Sequence, residues 1–125
     1  PIVYNGTEVG VTQERGIHDR GSQGMEESRQ PMLWGDEGDD DLYATFWTLS
    51  HLRRNHPALW RGARQTLHLD SAARTYAYAR ADGGDALVVG LNLSDEPRTF
   101  VVPYTDRATL LTFDLPPWTG DVAVV

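Results

Sequence analysis

The apolar positions of this chain change period along its length, and each change predicts a different element. Pro1-Ile2-Val3-Tyr4 followed by Val9 reads as a buried strand running into a turn marked by Gly6 and Gly10. From Val11 to Gly35 no period holds; Gly16, His18-Asp19-Arg20-Gly21 and Gly24 predict a polar, glycine-rich loop. Loops of that length are uncommon in compact domains and often carry function. Between residues 36 and 56, Leu42, Phe46, Leu49 and Arg53 fall at helical spacing, with Tyr43 and Leu52 widening the stripe. That pattern predicts an amphipathic helix packed on a core. Asp39-Asp40-Asp41 supply its N-cap and first-turn negative charge, Arg53, Arg54 and His56 suit its C-terminal end, and Pro57 stops it.

From residue 63 the period becomes two. Strands are predicted at Arg64–Leu69, Arg74–Arg80, Ala86–Leu93, Arg98–Val102, Thr109–Phe113 and Asp121–Val125. Asp82-Gly83-Gly84-Asp85 reads as a hairpin turn, and Asn92 to Pro97 as the next reversal. Short strands with frequent turn signals predict an antiparallel β-sandwich. The chain thus divides into residues 1–60, a strand, loop and helix, and residues 61–125, the sandwich.

An apolar strand at the start needs neighbours to pair its backbone and bury its faces. The residues around it supply too few, so the expectation is a C-terminal piece of a larger protein.

Composition narrows the partners. The 125 residues carry 11 Lys+Arg against 18 Asp+Glu, a formal net charge of −7. The basic residues are scattered, which argues against nucleic acid, and the acidic balance argues against an anionic membrane surface. No window approaches a membrane span. Without cysteine there are no disulfides, thiol nucleophiles or thiolate metal sites. His18, His51, His56 and His68 lack metal-ligand spacing, and the acidic run Asp36, Glu37, Asp39, Asp40, Asp41 lacks the EF-hand pattern. No metal and no cofactor are expected.

Several stretches together resemble the C-terminal part of α-amylase-family glycoside hydrolases, above all the cyclomaltodextrinase, neopullulanase and maltogenic-amylase branch. Pro1 to Gly10 resembles the family's eighth barrel strand, with Asn5 in place of the usual second Tyr. Arg29-Gln30-Pro31-Met32-Leu33-Trp34 is similar to the segment that follows it. Leu49-Ser50-His51-Leu52-Arg53-Arg54-Asn55-His56-Pro57-Ala58-Leu59 resembles the last barrel helix and its exit. Tyr76–Arg80, Ala86–Ser94 and Leu115-Pro116-Pro117-Trp118 are similar to parts of the β-sandwich domain C behind the barrel.

The resemblance implies the last unit of a (β/α)₈ barrel over residues 1–60, then domain C over 61–125. It implies a parent enzyme acting on α-glucosidic bonds of malto-oligosaccharides, starch or related glucans. The partners implied are the upstream part of the same barrel and, through the parent, an α-glucan. Retaining glycoside hydrolysis needs two carboxyl groups about 5–5.5 Å apart. By the resemblance, the family's catalytic carboxylates lie on earlier barrel strands, so no catalytic residue is expected here and the segment alone should be inactive. Candidate substrate contacts are Glu8, just past the strand end, Arg29, which can hold hydroxyls, and Trp34, which can stack on a sugar. The bland alternatives are a Glu8 that ties down its turn, an Arg29 in an ion pair and a Trp34 packed under the loop. Tyr76, Tyr78, Trp60 and Trp118 are expected in the sandwich core or against the barrel. Were they a surface platform instead, the chain would be a non-catalytic glycan-binding module.

Overall fold

The computed structural model of the chain describes residues 3–13, 16, 18, 29–104 and 109–125. Pro1 and Ile2 of the predicted first strand, and Asp19 and Arg20 of the predicted loop, lie outside these. The chain splits into two compact units, Pro1–Leu52 and Arg53–Val125.

In the first unit the predicted opening strand is not formed over its described residues. Val3 and Tyr4 are not part of any strand and stand 48% and 62% exposed. The backbone then turns on itself through a 3-10 turn, Thr7–Val9. Thr7 N–H donates to the Tyr4 carbonyl at 3.0 Å, and both Val9 and Val11 donate to the Gly6 carbonyl. A strand requires a neighbour's donors and acceptors. None of the described residues runs beside this segment as a strand, so local bonds take up its polar groups.

Helix α1, Asp40–Asn55, forms where the spacing predicts it. Asp39 is the N-cap: its carboxylate accepts the Leu42 N–H at 2.8 Å, satisfying a donor the helix itself leaves open. The expected burial of its stripe does not occur. No residue of α1 is fully buried. Leu42, Phe46 and Leu52 are half-buried, while Tyr43, Trp47 and Leu49 are at least half exposed.

The second unit takes in the last turn of α1 and a 3-10 turn, Pro57–Leu59. All six predicted strands follow: β1 Ala63–Asp70, β2 Thr75–Asp82, β3 Asp85–Asn92, β4 Arg98–Tyr104, β5 Thr109–Leu115 and β6 Thr119–Val124. One sheet has the order β1-β2-β3-β6 and the other pairs β4 with β5, all antiparallel. Chain reversal between β2 and β3 is the two-residue Gly83-Gly84 turn, closed by the Asp82–Asp85 pair. Gly83 has φ +62, a conformation only glycine adopts without strain.

The core lies between the sheets. Ala77, Ala79 and Val88 face Val102, Phe113 and Leu115, with Phe100, Leu111 and Tyr104 packed against them. Small residues on β2 and β3 leave room for the large ones on β4 and β5. Gly90 is the extreme case, since a Cβ there would sit 2.5 Å from the Phe113 ring. Phe113 in turn stacks on Phe100 at 5.5 Å. A register shift between Thr66 and His68 interrupts the β1–β2 ladder. Leu67 packs on the core there, and the next residue, His68, stacks on Phe100 at 4.8 Å. A bulge bends the strand and breaks strict alternation.

Four aromatics expected in the core or against the barrel are not part of the core. Trp60 and Trp118 are 50% and 62% exposed. Tyr76 and Tyr78 are half-buried and stacked on each other at 5.5 Å. They alternate with the buried Ala77 and Ala79, which places them on the opposite face of the sheet.

Candidate functional site

Glu8 sits in the Thr7–Val9 turn, held there by the backbone bonds around Gly6. Its Oε2 atom is buried and has no hydrogen-bond partner among the described residues. Asn5, Glu8, Tyr43, Phe46, Trp47 and His51 are among the residues that line a cleft of about 320 Å³ in the first unit. On α1, positions 43, 47 and 51 share a face because residues four apart are neighbours on a helix. Trp47 and His51 stack at 3.9 Å, and His51 Nδ1 lies 2.9 Å from the Trp47 carbonyl. A carbonyl only accepts, so Nδ1 carries the hydrogen.

Arg29 and Trp34 do not line that cleft. Arg29 is exposed and makes no ion pair among the described residues. Trp34 is 74% exposed, and its backbone N–H donates to the Glu37 carboxylate at 3.4 Å. The structure therefore leaves the three sequence candidates apart. Glu8 is joined instead by Trp47 and His51, whose four-residue spacing was the signal available for finding them. Within the acidic run, Glu37 and Asp39 act as acceptors for backbone N–H groups. Among the described residues no group of His, Asp and Glu side chains is arranged to hold a metal ion.

The second unit contains a denser polar arrangement at the exit of α1. His56 Nδ1 lies 2.8 Å from Asp85 Oδ1, and Asp85 Oδ2 accepts the Ala58 N–H at 2.8 Å. The ionised carboxylate has no hydrogen to give, so His56 Nδ1 donates. The His56 hydrogen bond, then that of Ala58, holds the Asp85 carboxyl below its ordinary value. Arg80 Nε donates to the Ala58 carbonyl at 3.1 Å, and Arg53 donates to the Leu59 carbonyl at 2.6 Å. Arg61 pairs with Asp82 at 2.9 Å on the same hairpin. The Pro57–Leu59 turn is thereby fastened to β2 and β3, with Ala58 and Leu87 both fully buried.

Among the described residues that line it, the cleft offers one carboxylate, Glu8, and aromatic walls. Two are needed for glycosidic cleavage by the usual routes. The two packed antiparallel sheets of the second unit define a β-sandwich domain.

Residues 60–125 match the family described as Domain of unknown function (DUF3459). A cyclomaltodextrinase from a Bacillus species is 36% identical over 93 residues, covering 74% of this chain and 15% of that protein. Alpha-amylase 2 of Dictyoglomus thermophilum is 29% identical over 108 residues, covering 86% of this chain and 18% of that protein. In three dimensions, the ligand-free cyclic α-maltosyl-(1→6)-maltose hydrolase of Arthrobacter globiformis matches with a TM-score of 0.67 at 25% identity. It covers 100% of this chain and 26% of the hydrolase chain. The chain belongs to the DUF3459 family and corresponds to a C-terminal segment of amylase-family enzymes of the cyclomaltodextrinase kind. It spans only 15 to 18% of the length of those two sequence relatives.

Proposed function

We infer that this chain is the non-catalytic C-terminal part of an amylase-family hydrolase that acts on α-glucosidic bonds of malto-oligosaccharides, starch or related glucans. Residues 1–60 form the last unit of its barrel, and residues 61–125 are the sandwich that stabilises it. The observation that carries this reading is the unfinished surface of the first unit. Tyr43, Trp47 and Leu49 are at least half exposed along α1, and Glu8 keeps a buried oxygen without a donor among the described residues. Exposed apolar stripes of this kind mark surfaces that another segment covers. The upstream part of the barrel is that segment, and the α-glucan reaches the protein through it.

The test compares the full-length protein with the 125-residue chain on maltotriose and soluble starch. Hydrolysis by the full-length protein and none by the chain is the expected result. Turnover by the highly purified chain, or none by the full-length protein, overturns the reading.

A further inference from the structure

Trp118, Asp95 and Arg74 come from three different connections of the sandwich, and Asp95 joins the other two. Trp118 Nε1 donates to Asp95 Oδ1 at 2.9 Å, and Arg74 Nη1 lies 3.7 Å from Asp95 Oδ2. All three are well exposed: the Trp118 residue by 62%, the Arg74 and Asp95 side chains by 58% and 79%. Among the described residues, Trp118 and Arg74 are also the two non-glycine residues with positive φ, +55 and +54. Left-handed backbone is costly for a side chain-bearing residue and persists where its surroundings enforce it.

The enforcing group is Asn92. It is fully buried at the end of β3. Its Nδ2 shares two hydrogens among the carbonyls of Glu96, Leu115 and Pro116, which lie 2.8, 3.1 and 2.9 Å away. Its Oδ1 accepts from both the backbone N–H and the hydroxyl of Ser94. One buried amide therefore pins the loop that carries Asp95 and the turn that carries Trp118. The Arg74 carbonyl accepts the Leu93 N–H at 2.9 Å, which ties the third connection in. An exposed indole is thus held in place before anything binds it, which lowers the ordering cost of binding.

We propose that Trp118, Asp95 and Arg74 form a surface binding site for a neutral pyranose chain, of the α-glucan class. The indole offers an apolar, electron-rich face to the C–H face of a sugar ring. Asp95 accepts hydrogen bonds from ring hydroxyls, and Arg74 has donors to spare for them. A carboxylate at the centre, on a chain of net charge −7, disfavours an anionic ligand. Trp60 is the contrasting case, since the Arg61 guanidinium already sits over its ring, 4.7 Å from the centroid. Only the ligand class rests on the proposed function; the site itself stands on its own geometry.

Calorimetric titration of the full chain with maltoheptaose and with β-cyclodextrin tests the site. Trp118→Gly removes the ring while suiting the backbone, because glycine adopts φ +55 freely. It should leave the melting temperature unchanged or raised, and weaken glucan binding about tenfold, the worth of a well-placed aromatic contact. Arg74→Gly should likewise spare the fold and weaken binding, by about threefold. Trp60→Ala should bind as the parent chain does. Absence of binding by the parent chain, equal binding by Trp118→Gly, or loss of binding through Trp60→Ala instead overturns the site. Hydrolysis by the full-length protein is a separate readout, so failure here leaves the proposed function standing, and the reverse.

Discussion

His56 hydrogen-bonds Asp85 at 2.8 Å, joining the residue just past α1 to the first residue of β3. The same carboxylate receives the Ala58 N–H, so one side chain fixes the start and the middle of a short turn. Folding depresses the Asp85 carboxyl below the ordinary carboxylate range, through His56 first and Ala58 second. A depressed carboxyl stabilises the folded state above its unfolded value, and that contribution disappears as pH falls through the folded value. Asp70 acts in the same direction, its carboxyl lowered chiefly by the Ala73 N–H. Thermal unfolding followed from neutral to strongly acid pH should show stability falling below about pH 4. Asp85→Asn should make that fall shallower without removing it, since Asp70 remains. An unchanged pH profile in Asp85→Asn would show the pairing to be energetically silent.

Asn92 has no solvent to fall back on. Asn92→Ala leaves three carbonyls and the Ser94 hydroxyl without its amide. The expected loss is about 2–3 kcal/mol in denaturant unfolding. Asn92→Asp sets a carboxylate among those same carbonyl oxygens and should be worse than alanine.

Gly90 and Phe113 occupy one volume between them. Gly90→Ala should cost about 1–3 kcal/mol through overpacking against the ring. Phe113→Ala should cost about 3–5 kcal/mol through the cavity it leaves. The two sites touch, so the double variant should be less destabilised than the sum of the single ones.

The proposed function has the exposed face of α1 covered in the full-length protein. In the 125-residue chain Leu49 is 55% exposed, so Leu49→Lys should shift stability by less than about 0.5 kcal/mol. In the full-length protein the same change should cost about 2 kcal/mol or more, because a covered leucine becomes a buried charge. Equal effects in both proteins would leave the stripe uncovered in each.

Periodicity and turn chemistry alone determined α1, its Asp39 cap, six strands and the Gly83-Gly84 hairpin. These are local choices, set by side chains a few residues apart. The ordered motifs likewise carried the family resemblance. Tertiary structure decided the rest. Val3 and Tyr4 have strand-like side chains, yet a strand exists only beside a partner. The β1 irregularity at Leu67 and His68 depends on what β2 and β4 leave open. Which aromatics form the core was also undecided by alternation, which sorts residues onto two faces without saying which face is covered. Phe100 and Phe113 met an opposing sheet, whereas Trp60 and Trp118 stayed half or more exposed. The joining of Asp95 to Trp118 and Arg74 spans more than twenty residues on either side, and only the pairing of β3 with β2 and with β6 brings such positions together.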